Sequence, residues 1–250
     1  MSKPKVAIIT GSSRGIGAET AKLFAAHGYA VCINYRKDQA AAEAISAEIS
    51  AAGGCCIVVQ ADVSVAAEVR TMFDQTEAAF GPVTVLVNNA AVLQQQCSFT
   101  DISEERFSEI LRSNVISCFL CCKEAVLRMS TKRGGNGGAI VNVSSGAAKS
   151  GSPHEYIDYA ASKGAVDTMT RGLALEVADQ GIRVNAVRPG LIYTDMHASG
   201  GEASRVDRLK SRIPLQRGGH PQEIAEAILW LASEKSSFVT GSFIDAAGGL

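Results

Sequence analysis

Val6-Ala7-Ile8-Ile9-Thr10-Gly11-Ser12-Ser13-Arg14-Gly15-Ile16-Gly17 is the stretch whose reading decides the fold. The apolar run Val6–Thr10 has the length of a short buried strand. The glycines after it mark a turn, and a helical pattern follows over about Ile16–Ala26. The glycine spacing is G-x-x-x-G-x-G rather than the commoner G-x-G-x-x-G, but the physical demands are shared. Gly11 permits a tight turn, Gly15 lets backbone approach a pyrophosphate, Gly17 allows close helix–sheet packing, and the helix N-terminus faces the anion. Ser12, Ser13 and Arg14 add donors to the same loop. The competing reading is a glycine turn that holds no ligand.

Working outward, strand-like runs alternate with helical stretches along the whole chain. Strands are predicted at Ala30–Tyr35, Cys56–Gln60, Val83–Val87, Ala139–Val143, Arg183–Val187 and Ser242–Asp245. Helices are predicted near Gln39–Ala52 and over Val65–Phe80, Glu104–Met129, Tyr159–Gln180 and Ile224–Ser233. Continuous apolar strands separated by helices imply a parallel sheet covered on both faces. Right-handed crossovers then make this an α/β chain with a Rossmann-type doubly wound sheet of about seven strands. The expected organisation is one dinucleotide-binding catalytic domain over 1–250, with an irregular substrate-lid insert at about 193–215. Gly134-Gly135-Asn136-Gly137-Gly138 reads as the loop before the fifth strand.

Composition sets bounds. The chain has 250 residues, 46% of them apolar, enough for a large core in one domain. Its 24 basic and 25 acidic residues leave a net charge of −1, so no basic stripe argues for nucleic acid. No segment reaches transmembrane length and the N-terminus lacks a signal-peptide pattern, so the expected location is the cytoplasm and no membrane partner is expected. Of the seven cysteines, Cys118 and Cys121 form a C-x-x-C. Without a second such pair or a nearby histidine, this reads as buried helix cysteines, with no metal site expected. Asn142-Val143-Ser144 matches a glycosylation sequon but lies in a buried-looking strand.

Tyr159 and Lys163 are four residues apart in Asp158-Tyr159-Ala160-Ala161-Ser162-Lys163, and on a helix both leave one face. A phenol titrates near pH 10. A neighbouring ammonium favours the phenolate, so the pair reads as a tyrosine acid/base whose pKa the lysine pulls down.

With the glycine turn, Asn88-Asn89-Ala90-Ala91 after the fourth strand, and Tyr159/Lys163, the chain resembles the short-chain dehydrogenases/reductases over essentially its whole length. That resemblance implies catalytic roles for Asn114, Ser145, Tyr159 and Lys163. Ser145 precedes Tyr159 by one residue more than the family's usual spacing, which places an insertion in Gly146–Asp158. Ser144 is the rival, pointed to the opposite face by strand alternation. Asn89-Ala90-Ala91 replaces the usual Asn-Ala-Gly. The implied cofactor contacts are Gly11, Ser13, Arg14, Gly15, Ile16, Gly17, Asn89 and Ala90. Tyr159, Lys163, the Pro189-Gly190 turn, Ile192 and Thr194 add to them, and Asp62-Val63 resembles the adenine-edge contact unless Asp62 or Ser64 is a helix N-cap. Tyr159 is expected to protonate the carbonyl oxygen, Ser145 to hydrogen-bond it, Lys163 to hold the nicotinamide ribose, and Asn114 to position a water, unless it is a mid-helix residue satisfied locally.

NAD enzymes of this architecture place an acid at the tip of the second strand. Here Tyr35 stands in that place with Arg36 after it, and a guanidinium suits a 2′-phosphate, with Arg14 able to reach the same side. NADP is therefore expected, with NAD the alternative if Asp38 is a ribose ligand rather than the N-cap of the next helix. The expected substrate is a small-molecule carbonyl or alcohol, with 3-oxoacyl reductase-like and sugar or polyol dehydrogenase-like activities as the candidates. A non-catalytic dinucleotide sensor or scaffold is the different-class alternative. Met196, His197, His154, Glu155 and Tyr156 are candidate pocket residues, whereas His27 and His220 read as helix-end surface residues. Surplus apolar residues on the long helices, with Trp230 on the last, imply a homotetramer, with a dimer as runner-up.

Overall fold

The computed structural model describes residues 5–250. Seven strands form one wholly parallel sheet: β1 (Val6–Ile9), β2 (Ala30–Tyr35), β3 (Cys55–Gln60), β4 (Val83–Asn88), β5 (Gly138–Val143), β6 (Ile182–Pro189) and β7 (Phe243–Ala246). Their order is β3-β2-β1-β4-β5-β6-β7. The winding reverses between β1 and β4, so the crevice of a doubly wound sheet opens there, beyond the carboxyl ends of the strands.

Strand alternation divides the core into two. Val6 and Ile8 of β1 face α3 (Ala66–Phe80), α5 (Ser117–Met129) and α7 (Ile157–Val177), with Phe73, Met129 and Val177 among the buried residues. Ala7 and Ile9 face α1 (Gly15–Ala26), α2 (Gln39–Ala51) and α10 (Pro221–Ala232), with Phe24, Ile49 and Ile228. Because both faces of the sheet are dry, its central strands carry apolar residues at successive positions.

The helix expected over Glu104–Met129 is broken. It consists of α4 (Glu104–Leu111), a π turn at Arg112–Ile116 and α5. A π turn skips one rung of the usual ladder and is a frequent mark of a functional site; this one contains Asn114. The helix expected over Tyr159–Gln180 is α7, which starts two residues earlier, at Ile157, and tightens into a 3₁₀ turn at Ala178–Gln180 before Gly181, whose φ is +72°. Short helices missing from the sequence reading are α6 (Ala147–Ser150), α8 (Met196–Ser199) and α9 (Arg205–Leu209). Each is only four or five residues long, too short to show a periodic apolar pattern. No helix among the described residues is long and apolar enough to cross a membrane.

Candidate active site

The glycine turn after β1 is built by backbone geometry. Gly11 and Gly15 sit at φ +61° and +56°, where a side chain is strained. At Gly17 a Cβ would lie 2.5 Å from Asn89 Nδ2 and 2.6 Å from the Gly11 carbonyl oxygen. Asn89 ties the turn to β4 by donating to the carbonyls of Thr10 (2.9 Å) and Gly11 (3.0 Å). Thr10 Oγ1 in turn accepts from the Asn89 and Ala90 amides. Ala90 packs where its Cα would be 2.9 Å from a Cβ on Gly11, so the alanine after Asn89 fits against the bare turn. From the other side, Asn34 Oδ1 accepts from the Gly11 amide at 3.1 Å, while its amide group donates to the Ala61 carbonyl.

Ser12 departs from expectation. Its hydroxyl is buried, donates to the Ile9 carbonyl at 2.7 Å and accepts from the Asn34 amide, so it closes the turn rather than facing a ligand. Ser13, Arg14, Gly15 and Ile16 line an open cleft of about 490 Å³ that runs to Arg36 and Asp62. Arg14 and Arg36 are exposed there. Arg36 lies 3.8 Å from the Asp62 carboxylate. Tyr35 lines the same cleft but is largely buried in the core. Asp38 is the N-cap of α2, accepting from the Ala41 amide at 3.0 Å. Asp62 caps no helix. Its Oδ1 accepts from the Ser64 amide and hydroxyl, and α3 begins without a side-chain cap. Burial alone would raise the Asp62 carboxyl, but the two Ser64 hydrogen bonds and the Arg36 and Arg112 charges hold it below the ordinary aspartate value. Val63 beside it is buried.

A second hollow, of about 750 Å³, meets the first at Ile16, Asn89 and Thr194. Ser145, Tyr159 and Lys163 converge on its floor. Lys163 is 3% exposed and its ammonium donates to the Val143 carbonyl at 2.7 Å, 5.6 Å from the centre of the Tyr159 ring. Burial pushes Lys163 down to about 8. Burial pushes the Tyr159 phenol up to about 12, partly opposed by the Ser145 hydroxyl. The expected lowering of Tyr159 by its lysine is therefore not what the site shows. Desolvation outweighs a charge whose hydrogen bond is spent on a backbone carbonyl.

Ser144 and Ser145 separate as alternation demands. Ser144 is buried and donates to the Lys163 carbonyl, while the half-buried Ser145 faces the hollow and accepts from the Ala147 amide at 3.1 Å. Asn114 is 2% exposed and not satisfied locally. It accepts from the Val92 amide (2.8 Å), donates to the Val92 carbonyl (3.1 Å) and donates to Ser162 Oγ (3.1 Å). Beyond β6, a Cβ at Gly190 would lie 2.7 Å from Ala247 Cα. Ile192 is buried, and the Thr194 side chain lies 3.5 Å from where a Gly15 Cβ would be.

The rim of the hollow is stitched by side chains. Glu155 pairs with Arg205 and Arg208, Arg205 stacks over Tyr156 at 5.3 Å, and Tyr156 donates to the Gly200 carbonyl. His197 donates from Nε2 to the Ile192 carbonyl at 3.0 Å; burial, then Arg205, lower its pKa. Met196 lines the rim, and His154 sits exposed at φ +63° in the loop before α7. His27 and His220 are exposed at helix ends. Cys118, Cys121 and Cys122 are buried, and no metal-holding cluster occurs among the described residues.

Thr10 and Asn34 escaped the sequence reading, as did the ion pair of the half-buried Arg106 with the buried Asp158. The signal was a polar residue inside an otherwise apolar strand, as in Ala30-Val31-Cys32-Ile33-Asn34-Tyr35.

A family model described as "Enoyl-(Acyl carrier protein) reductase" matches residues 11–250. The chain is 57% identical over 244 residues to an "Uncharacterized oxidoreductase YgfF" of Escherichia coli, covering 98% of this chain and 99% of that one. It is 36% identical to the "3-oxoacyl-[acyl-carrier-protein] reductase FabG" of Staphylococcus aureus, covering 100% and 99%. A solved "short-chain type dehydrogenase/reductase" from Mycobacterium marinum superposes with a TM-score of 0.92 at 34% identity, covering 99% and 95%. With its sheet order, its glycine turn and these likenesses, the chain belongs to the short-chain dehydrogenase/reductase family and is an oxidoreductase.

Proposed function

We propose that this protein is an NADP-dependent oxidoreductase that interconverts a carbonyl and a secondary alcohol on a small molecule. The observation that carries this is the convergence of Ser145, Tyr159 and Lys163 where the glycine-turn cleft opens into the rim-bounded hollow. The cleft fits a dinucleotide. Gly11 and Gly17 clear the approach of Ala90 and Asn89 that shapes the turn, Gly15 lines the cleft without a side chain, and the start of α1 faces the place of a pyrophosphate; the exposed Arg14 and Arg36 suit a 2′-phosphate better than a strand-tip carboxylate would. A nicotinamide bound there supplies the hydride. Everything else falls to the chain. Lys163, Asn89 and the Pro189–Thr194 segment orient the ring-bearing half, and Ser145 donates to the substrate oxygen. Tyr159, kept protonated by its burial, gives that oxygen its proton, while Asn114 braces the turn behind them. The 193–215 insert and the Glu155–Arg205 pair exclude water from the hollow.

Two relatives named for a substrate class support this reading: the FabG relative and a "Glucose and ribitol dehydrogenase homolog" of rice, 37% identical over 99% of this chain and 86% of that one. The reaction is tested by measuring kcat/KM with NADPH and NADH over a panel of 3-oxoacyl thioesters and aldose or ketose sugars. NADPH is expected to be preferred, and Arg36→Asp to shift preference toward NADH by about tenfold or more, the size of one lost charge-assisted phosphate contact. A wild type that prefers NADH tenfold overturns the cofactor assignment.

The same reading places the protein in the cytoplasm as a homotetramer. Supporting the assembly, large apolar side chains are exposed on the long helices, Leu175 (75% exposed) on α7 and Phe119 on α5, and Trp230 on α10 and Phe238 after it are exposed as well. Light scattering is expected to give a mass four times the 26.1 kDa chain; a monomer at micromolar concentration refutes it.

A further inference from the structure

Tyr159 stands at the start of α7, and its main chain is held from both sides. Its amide donates to Asp158 Oδ1 at 2.8 Å, and its carbonyl accepts from Ser162 Oγ at 2.6 Å. Each of those two side chains is then gripped from the α4–π segment. Asp158 Oδ2 accepts from Arg106 Nε at 2.7 Å, and Ser162 Oγ accepts from Asn114 Nδ2 at 3.1 Å. Asp158 is 1% exposed and Ser162 is fully buried. The Asp158 carboxylate is thus desolvated on the residue next to the acid, and Arg106 is the cation that faces it.

From this geometry we infer that the Arg106–Asp158 ion pair is a positioning device for Tyr159: it fixes the first turn of α7 and balances the carboxylate buried on the adjacent residue. A helix start can be capped by a neutral serine, as Ser103 caps α4. α7 has no side-chain N-cap, and the carboxylate of its second residue takes the Tyr159 amide instead; a buried carboxylate is tolerated only with a cation in contact, and the cation here comes from the helix that leads into the Asn114 turn. The two grips share one origin, so a shift of α4 is transmitted to both ends of the Tyr159 peptide. The inference rests on Tyr159 as the proton donor.

The groups around the pair are few. Cys97 and Tyr156 lie near Arg106. Tyr159 is faced by Ser145 and Lys163, with the Glu155–Arg205 pair and His197 farther out on the rim. The electrostatic consequence therefore has a sign. Asp158→Asn keeps an acceptor for the Tyr159 amide but leaves Arg106 unbalanced, favouring the phenolate. Arg106→Met leaves the carboxylate unbalanced, favouring the phenol.

The test reads Tyr159 without any substrate. In protein labelled with 3-fluorotyrosine, fluorine acidifies the phenol and brings its titration into reach, and the Tyr159 fluorine resonance is identified by its loss in Tyr159→Phe. The titration midpoint is expected to fall in Asp158→Asn and rise in Arg106→Met, each by about half a pH unit or more, as a nearby unit charge demands. It should return close to wild type in the double variant, and Arg106→Lys, which keeps the charge, should leave it in place. Midpoints that move the same way in both single variants, or in neither, show a merely structural pair and overturn the inference. Should Arg106→Met not fold, a fall in Asp158→Asn beside an unmoved Arg106→Lys sustains it, and the absence of that fall sinks it. Turnover of the carbonyl panel by wild type and Tyr159→Phe tests the proton-donor role separately, so either reading can fail alone.

Discussion

The turn after β1 and the junction of β5 with α7 lie side by side but are built on opposite principles. The turn works by absence: missing side chains at Gly11 and Gly17 let Ala90 and Asn89 close in, and main-chain groups do the bonding. The junction works by burial. Lys163 and Tyr159 are taken out of water and displaced in opposite directions, toward neutral amine and neutral phenol. A surface that presents backbone amides depends on steric clearance, whereas a site that moves a proton depends on how burial sets its charges.

The contrast is broken most sharply by Tyr159→Phe. The ring and its packing stay, and only the transferable proton goes. Turnover is expected to fall by about 10²–10⁴-fold, the usual contribution of a general acid, with NADPH affinity nearly unchanged in a fluorescence titration. A variant that keeps more than about a tenth of wild-type kcat removes Tyr159 from the chemistry.

Gly17→Val attacks the other principle. Its Cβ alone would sit 2.5 Å from Asn89 Nδ2 and 2.6 Å from a fixed carbonyl oxygen. Overpacking of that kind costs about 1–3 kcal/mol, so NADPH affinity should weaken by about 5–150-fold. If titration of the folded variant gives wild-type affinity, close packing at Gly17 does not shape the cofactor site.

The smallest effect sharpens the comparison through pH. Lys163 falls from its ordinary 10.5 to about 8 on folding. Between those values the unfolded chain holds a proton that the folded one does not, so stability attributable to this group rises as pH climbs from about 8 toward 10.5. Tyr159, raised from 10.0 to about 12, acts oppositely: above pH 10 the unfolded chain loses its proton first and stability falls. Lys163→Met should therefore be more stable than wild type at pH 7 by about 1–3 kcal/mol, and the difference should shrink by pH 10. Thermal melts across that range check it; a constant difference means the lysine is solvated.

Much of this was legible in the chain itself. The parallel sheet showed in runs such as Val6–Ile9, because strands buried on both faces are apolar at successive positions. The turn after β1 showed in the glycine spacing, because only glycine clears those approaches. Asp38 as a helix cap, and Ser145 facing away from Ser144, followed from local geometry that a few residues specify. The tertiary structure alone decided the rest. The long helix gives way to a π turn because Asn114 engages the distant Val92 backbone. Ser12 turns inward because Asn34 waits on the neighbouring strand. The Tyr159–Lys163 spacing says that the two share a helix face, but not how dry that face is. Burial is a property of everything packed around a residue, and it reversed the expected direction of the Tyr159 pKa.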